Sequence, residues 1–442
     1  MKQNGNGNAN LDHGNGYKKQ KYKFLFVSFE SLSGDLAWKI KNEGHEVKCF
    51  IKICTDEYDG FLEKVPEWKS FIDWADVVVF DDVGFGEEAD KLRKAGKAVI
   101  GGSSYTDKLE ENREFGQSEM KRLGMLTLPS WNFENYDVAL EFLRQNPGRY
   151  VYKPSGLSAG DFRGLLFSGK EEDGKDLYEI LSQNRKVLEK KIKQFQLQKY
   201  VGGVEVGASA FFNGENFVTP ILIAFEHKRL FPGELGEMTG EMGTSMFWCE
   251  PNKLFRETTE KMEVDLRKSG YVGYIDINCM VNGRGIYPLE FTCRFGYPTI
   301  SIQQEGILSE WGEFFYMLAN HKPYELKTKK GFQLGVVCVV PPFPYDEKKT
   351  LEIYKDLSIL FKKPNIDGIH LGDVKITDGA WRVAGSSAYV LVVTGSGSTM
   401  EEARKQTYLR IENIILINMF YRTDIGLSWS EDRDKLMTWG YI

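Results

Sequence analysis

The 442-residue chain contains no apolar run of about 18 residues, so no stretch of it reads as a membrane-spanning helix. It has no basic excess either. A formal net charge of −6 provides no global field to draw nucleic acid or anionic lipid, although a local basic patch stays open. The N-terminus lacks an apolar signal core. None of the six cysteines forms a CxxC pair, which leaves zinc-binding and thioredoxin-like readings without support. Several sit in apolar, strand-like runs, where free buried thiols are the usual case. A reducing, cytoplasmic setting is the expectation. Histidine is scarce at five residues: His13 in the tail, His45 and His321 in turns, His370 in a strand, and His227. No Ser/His/Asp or Cys/His arrangement emerges. The turn after the first predicted strand, "SFESLSGD", has no GxGxxG, so a dinucleotide fingerprint is missing. "YKPSGLSAG" has glycines but no Lys-Ser/Thr ending and no following helix, so it is no P-loop.

What is present is a globular composition, 42% apolar and 13% aromatic, on a length that predicts two to four domains. Residues 1–21 are Asn/Gly-rich and nearly free of apolar side chains, which predicts a flexible tail. From "FLFVSF" onward, short apolar runs alternate with helical patterns up to "VIGG", the signature of parallel βαβ units. A helix over "DKLEENREFGQSEMKRLGM" follows. The pattern then changes to alternating strands with Asn-Gly turn signals, as in antiparallel sheet. "KLFRETTEKMEVDLRKSG" reads as one amphipathic helix, and "YELKTKKG" as a linker. The last segment supplies "FQLGVVCVVPPFPY" and a strand–turn–helix unit.

Four stretches carry chemistry. The hairpin "YIDINCMVNGRGIYPLEFTCR" puts Asp276 and Asn278 on one face of its first strand, and Glu290, Thr292 and Arg294 on one face of its second. Carboxylates from neighbouring strands repel unless a proton or cation lies between them. Magnesium suits such oxygen ligands and bridges to phosphates. Spacing alone suits a solvated sheet face equally well. In "YKPSGLSAGDFRG", Lys153 ends an apolar strand before a small-residue turn at Gly156 to Gly160, whose N–H groups suit a phosphate; a plain hairpin fits as well. "FQLQKYVGGVEVGASAFF" is a strand, a glycine linker and a strand carrying Glu205. "EHKRLFPGELGEMTGEMGTSMFW" is long, Gly/Glu/Met-rich and aperiodic, which predicts a functional or mobile loop.

In this order the four stretches resemble the ATP-grasp ligases, and more narrowly the phosphoribosylamine–glycine ligase (glycinamide ribonucleotide synthetase) family, from about Lys23 to Gly426. "EFTCRFGYP" is close to that family's Glu-Phe-Asn-Cys-Arg-Phe-Gly-Asp-Pro. "EHKRL" and "TGEMGTSMF" are similar to its Asp-His-Lys-Arg and Thr-Gly-Gly-Met-Gly segments, and "KPSGLSAG" to Lys-Ala-Asp-Gly-Leu-Ala-Ala-Gly. "FQLGVVCVV", "YVLVVTGSGSTMEEARKQTY" and "YRTDIG" match its C-terminal domain in order.

The resemblance implies a multidomain α/β and α+β fold. It comprises a tail (1–21), an N-terminal parallel-sheet domain (22–108), an ATP-grasp core (109–325) with a mobile lid at about 126–200, a small C-terminal α/β domain (330–427) and an extension (428–442). It implies ATP and Mg2+ (or Mn2+). Glu290 is expected as a metal ligand, Thr292 in place of a metal-binding Asn, and Asp276 as the metal aspartate of the wider ATP-grasp group. Lys153 is expected on ATP phosphate beneath a lid turn with Ser155, Gly156 and Gly160, and Arg113 replaces a lysine facing the nucleotide. Gln198, Lys199, Tyr200 and Val201 are expected along the adenine pocket, Glu205 on the ribose, and Arg294 on the acyl or substrate phosphate. His227, Lys228, Arg229, Gly240, Gly243, Tyr297 and Thr299 are expected toward substrate.

The implied reaction is amide formation between a small carboxylate, glycine or another amino acid, and an amine, through an acyl phosphate with release of ADP and phosphate. The chain would work as a monomer or homodimer. Three departures point to a changed acceptor. "SFESLSGDLAW" replaces the family's Gly-Gly-Arg-Glu-His. Tyr297, Pro298 and Thr299 replace Asp-Pro-Glu. Asp161 replaces a lid lysine, with Arg163 nearby. An unaltered purine-pathway ligase and a nucleotide-binding pseudoenzyme are the competing readings.

Overall fold

The protein is described by a computed structural model covering residues 20–442 apart from 54–55, 156–164 and 346. Most of the Asn/Gly-rich tail, and the Gly156 to Gly160 turn with Asp161 and Arg163, lie outside the described residues.

The apolar runs near the N-terminus form a parallel sheet of β1 (Lys23–Ser28), β2 (Glu46–Ile51), β3 (Glu63–Lys64), β4 (Val77–Phe80) and β5 (Val99–Ile100), ordered β3-β2-β1-β4-β5. β4 is buried along its whole length and β1 along all but its first residue, as a sheet covered on both faces requires. Helices Gly34–Asn42 and Gly86–Lys94 make the crossovers. At the carboxyl end of β4, Asp81 accepts from the Ser33 N–H and hydroxyl, fixing the turn that follows β1.

A four-stranded antiparallel sheet comes next: β6 (Ser130–Phe133), β7 (Tyr150–Ser155), β8 (Phe167–Ser168) and β9 (Gln194–Lys199), ordered β6-β9-β7-β8. Helices Tyr136–Gln145 and Lys175–Lys191 cover it. It has its own core, with Tyr136, Tyr152, Leu177, Leu181 and Phe195 buried. A separate core is what lets such a lobe move as a unit.

The largest element is an eight-stranded sheet. Its strands are β10 (Val204–Phe212), β11 (Ile221–Phe231), β12 (Leu235–Cys249), β13 (Gly273–Asn282), β14 (Gly285–Thr292), β15 (Phe332–Val339), β17 (Ile369–Leu371) and β20 (Tyr389–Gly397), ordered β14-β13-β10-β11-β12-β15-β20-β17. Four short strands in two pairs, β16 (Leu360–Phe361) with β21 (Ile414–Ile415) and β18 (Val374–Thr377) with β19 (Ala380–Val383), complete the C-terminal part. β12 pairs with β15 from Gly243 opposite Val336 to Phe247 opposite Phe332. The C-terminal strands therefore extend the central sheet rather than forming one of their own. Helix Thr299–Gly306 closes on this sheet at Gly335, where a Cβ would lie 2.3 Å from Ile302.

Local structure departs from the sequence reading in three places. The helix expected over 107–125 is two, Ser104–Glu111 and Arg113–Arg122, because Asn112 leaves helical dihedrals and its side chain caps the Phe115 N–H. "KLFRETTEKMEVDLRKSG" breaks into Lys253–Glu257, a 3-10 turn and Glu263–Ser269, since Thr258 and Thr259 spend their hydroxyls on Leu254 and Ala208 carbonyls. The stretch from Glu226 to Trp248, read as a loop, is the long β11–β12 hairpin. Register shifts near Arg229 erase the alternation a strand would show.

Candidate active site

The β13–β14 hairpin closes at Asn282–Gly285, and its register pairs Asp276 with Thr292 and Asn278 with Glu290. The two carboxylates share a face but stand diagonally, not opposite. Asp276 and Asn278 are 6% and 2% exposed, and the Oδ1 atom of each is buried without a hydrogen-bond partner. Burial, followed by the Glu226 charge, pushes Asp276 up to about 8, with Ser209 offsetting part of it. Burial raises Glu226 as well.

Lys228 enters this face from β11. Its Nζ lies 2.9 Å from Glu290 Oε1, 3.2 Å from Glu205 Oε1 and 3.2 Å from Glu226 Oε2. Its ammonium holds the solvent-reaching Glu290 carboxylate at about 2. Burial works against the Lys228 charge, but Glu290, Glu226 and Glu205 together push its pKa well up. Asn278 Nδ2 donates to Glu205 at 2.8 Å and Glu226 at 3.2 Å, fixing that side of the cluster.

The lid sheet supplies the other wall. Lys153 on β7 donates to Gln198 Oε1 on β9 at 2.6 Å. Burial, and then the Arg113 charge, lower Lys153 to about 8. Arg113 opens its helix and donates to the Pro154 carbonyl at 3.3 Å. Ser155 ends β7, opposite Gln194. Tyr200 donates its N–H to Arg149, whose guanidinium lies 3.4 Å from the Tyr200 ring centroid. Lys199 points elsewhere, its Nζ over the Tyr150 ring. Val201 is half-buried beside Gly202. Arg294 follows β14 and turns to the seam with the N-terminal sheet, with Nη2 3.0 Å from Glu110 and Nε 3.6 Å from Asp82.

Of the remaining expected residues, His227 and Arg229 flank Lys228 at a register shift of the hairpin and are held by other partners. His227 Nε2 accepts from the Gly426 N–H, its Nδ1 lies 3.5 Å from Glu234, and Arg229 donates to the Gly236 carbonyl. Gly240 is exposed with open space around it. Gly243 has φ +155° and packs on the Gly335 carbonyl, a reason in the fold. Thr299 is buried at the start of its helix, and Tyr297 packs at a tilt against Tyr389 with ring centroids 4.6 Å apart.

Glu241 escaped the sequence reading. It lies in the irregular stretch of β12 between Met238 and Gly243, is 5% exposed, and its Oε1 is buried with no hydrogen-bond partner. Burial, then Glu226, raises its pKa well above the usual range. A lone acid between Gly240 and Gly243 was the available signal.

The face therefore holds Glu205, Glu226, Glu241, Asp276 and Glu290 against Lys228, Lys153 and Arg113, an excess of acid. The two orphaned Oδ1 atoms beside Glu290 are hard oxygen donors and fit a magnesium or manganese ion. Among the described residues no group of three or more His, Cys, Asp or Glu is arranged to enclose a metal. A divalent ion bound at this wall would complete its shell from water or phosphate oxygens.

A parallel N-terminal sheet, a separately packed four-stranded sheet and a central antiparallel sheet whose hairpin carries the carboxylates make up the layout of an ATP-grasp fold. Residues 111–300 match the family model described as phosphoribosylglycinamide synthetase, ATP-grasp (A) domain. The phosphoribosylamine–glycine ligase of Listeria innocua is 26% identical over 353 residues, covering 76% of this chain and 80% of that protein. That of Clostridium acetobutylicum is 25% identical over the same shares. Among solved structures, phosphoribosylamine–glycine ligase from Thermotoga maritima aligns with a TM-score of 0.69 at 23% identity, covering 91% of this chain and all of that one. The biotin carboxylase of Campylobacter jejuni aligns at 0.61 and 12% identity, covering 96% and 97%. The chain carries an ATP-grasp domain over residues 111–300 and is similar to the phosphoribosylamine–glycine ligases over about three quarters of its length.

Proposed function

We propose that the protein joins a small carboxylate, glycine or another amino acid, to an amine other than phosphoribosylamine, through an acyl phosphate. The observation that carries this reading is one sheet face on which Asp276, Asn278, Glu290 and Lys228 stand together, opposite a lid lysine, Lys153, held by Gln198.

A carboxylate oxygen attacks the γ-phosphorus of ATP, and ADP departs. The amine nitrogen then attacks the acyl carbon, phosphate departs and the nitrogen loses a proton. The protein's part is positioning and charge neutralisation. A magnesium or manganese ion held by Asp276 and Glu290, with Asn278 or Thr292 adding an oxygen, would neutralise phosphate oxygens during transfer. Lys153, carried by the lid, and Arg113, on the helix before it, grip the phosphates. Glu205 and the Gln198 to Val201 strand end take the ribose and adenine. Arg294, kept straight by Glu110 and Asp82, offers its fork to the acyl phosphate at the seam of the two sheets. Relocating the Lys228 ammonium as ATP and metal enter releases Glu290 for coordination.

The changed acceptor is supported by what stands around the carboxyl ends of β1 and β4. Ser28, Ser31, Ser33 and Asp81 are buried there, without the arginine and histidine the family places in this turn. The test is ADP release with Mg2+-ATP across a panel of amino acids, trapping the acyl phosphate with hydroxylamine as a hydroxamate. Donor-dependent hydroxamate, lost in Glu290→Ala with the fold intact, is expected. Failure of every donor to give either product removes the ligase reading, and efficient turnover of phosphoribosylamine with glycine removes the changed acceptor.

A further inference from the structure

A second set of orphaned polar groups runs away from the nucleotide wall. Beside Lys228 and Glu226 sits Glu241, buried, with Oε1 unpartnered. Glu241 is among the charges felt by Tyr389, whose hydroxyl is also buried without a partner. Tyr389 packs at a tilt against Tyr297. Tyr297 in turn interacts with Tyr58, and Tyr58 with Asp81, 1% exposed and with Oδ1 unpartnered. The path thus connects the carboxylate face to the carboxyl end of β4, and three buried oxygens along it have no partner among the described residues.

The charges that act most strongly on Tyr297 are those of Asp35, Glu57 and Asp373. Around Glu241 they are Glu226, Asp276 and Glu205, with Lys228 the only cation among its strongest neighbours. Asp35 and Asp373 are committed: Asp35 to His370 and the Leu371 N–H, Asp373 to the N–H groups of Ser386 to Ala388. Glu241 and Asp81 are not so committed at their second oxygens. Burial holds the Glu241 carboxyl well above the usual range, so a phosphate entering here would gain no compensating charge from it, whereas an arriving cation favours the carboxylate. An ammonium or hydroxyl would instead supply the missing donors, and an unmade hydrogen bond from a buried acceptor is costly.

We propose that Glu241, Tyr297 and Tyr389 form the acceptor subsite and select a cationic, phosphate-free amine whose further polar groups are ammonium or hydroxyl. This rests on the ligase reading above. Glu241 takes the cation nearest the acyl carbon, the Tyr297–Tyr389 pair presents a ring face and a hydroxyl to the rest, and Asp81 with Ser33 marks the far end. Ring faces attract cations as well, so both kinds of wall favour positive charge.

The experiment is in two stages on the full chain. Hydroxamate trapping first identifies a working donor without any natural acceptor. Matched amines with and without phosphate then compete for that donor: glucosamine against glucosamine 6-phosphate, and 1,3-diaminopropane against phosphoethanolamine. At least tenfold higher kcat/KM for the phosphate-free member of each pair is expected. Glu241→Gln should raise KM for the cationic amine about tenfold and shrink that preference, and Tyr389→Phe should raise it less. Hydroxamate formation with equal or greater use of the phosphorylated amines overturns this inference and leaves the ligase reading standing. No hydroxamate with any donor overturns both. Unchanged preference in well-folded Glu241→Gln removes Glu241 from the subsite.

Discussion

Lys228 on β11 reaches Glu290 on β14 at 2.9 Å although β10 and β13 lie between their strands. The same ammonium touches Glu205 and Glu226, so one cation pins three carboxylates from three strands. Replacing it by a neutral side chain of similar length, Lys228→Met, leaves those charges facing one another. A fully buried pair broken in this way costs about 3–5 kcal/mol. Glu290 is 58% exposed, so a loss of about 2 kcal/mol is expected in urea unfolding. Millimolar magnesium should restore more stability to the variant than to the natural protein, because the freed carboxylates take the ion. Equal response of both to magnesium would remove the metal from this wall.

The face that carries this cluster was legible because apolar and polar residues alternate from Ile275 to Asn278 and from Leu289 to Thr292, which puts Asp276 with Asn278, and Glu290 with Thr292, on one face of each strand, although the ladder shifts register between Asn278 and Cys279. The parallel N-terminal sheet was equally readable from its short apolar runs. Legibility ended where the alternation did. The β11–β12 register shifts hid both a 15-residue strand and Glu241. Lys228 was grouped with His227 and Arg229, and only a known strand with its partners could separate them. The merging of β15 with β12 was also invisible, since sheet order across a linker depends on long-range pairing that no local pattern records.

The proposed phosphate role of Lys153 predicts an ATP affinity that depends on pH in a defined direction. Burial and Arg113 bring it to about 8 from an ordinary 10.5, so its charge fades as pH rises through 8. The unfolded chain keeps that proton up to 10.5. Between the two values this group therefore favours folding as pH rises, while its grip on phosphate weakens. ATP dissociation constants should climb above pH 8 by up to about tenfold per unit. Lys153→Arg, charged throughout, should flatten that limb. A natural protein whose ATP affinity stays constant from pH 7 to 10 would rule out the phosphate role.

Acid stability depends on a different carboxylate. Glu305, 8% exposed on helix Thr299–Gly306, would be raised by burial alone. Lys329 at 2.7 Å, Arg410 at 2.8 Å and the Ser396 hydroxyl at 2.8 Å overcome that and bring it to about 2 from 4.5. A depressed folded pKa means that its stabilisation is complete above 4.5 and lost as pH falls toward 2. The shift corresponds to about 3 kcal/mol. Glu305→Gln should lose a similar amount near neutral pH and show a shallower decline across that acid window. Parallel acid titrations of stability for the two proteins would exclude Glu305 as the source.

The C-terminal helix Trp429–Thr438 acts at the join between the central sheet and its C-terminal strands. Trp429, 8% exposed, packs edge-on against Phe225 of β11 at 5.3 Å, Phe247 of β12 at 5.4 Å and Phe332 of β15 at 4.9 Å. It touches all three strands of the junction, including the one that carries Glu226 and Lys228. Truncating a buried tryptophan costs about 3–5 kcal/mol, and each edge-to-face pair adds about 1 kcal/mol beyond area burial. Trp429→Ala should lower stability by about 4 kcal/mol in chemical denaturation, and Trp429→Phe should recover roughly half. Because the indole contacts no group of the nucleotide wall directly, ATP affinity of the folded alanine variant should stay within about twofold, a change under about 0.5 kcal/mol. A stability loss below about 1 kcal/mol would mean that β12 and β15 hold together without the helix, through their backbone ladder alone.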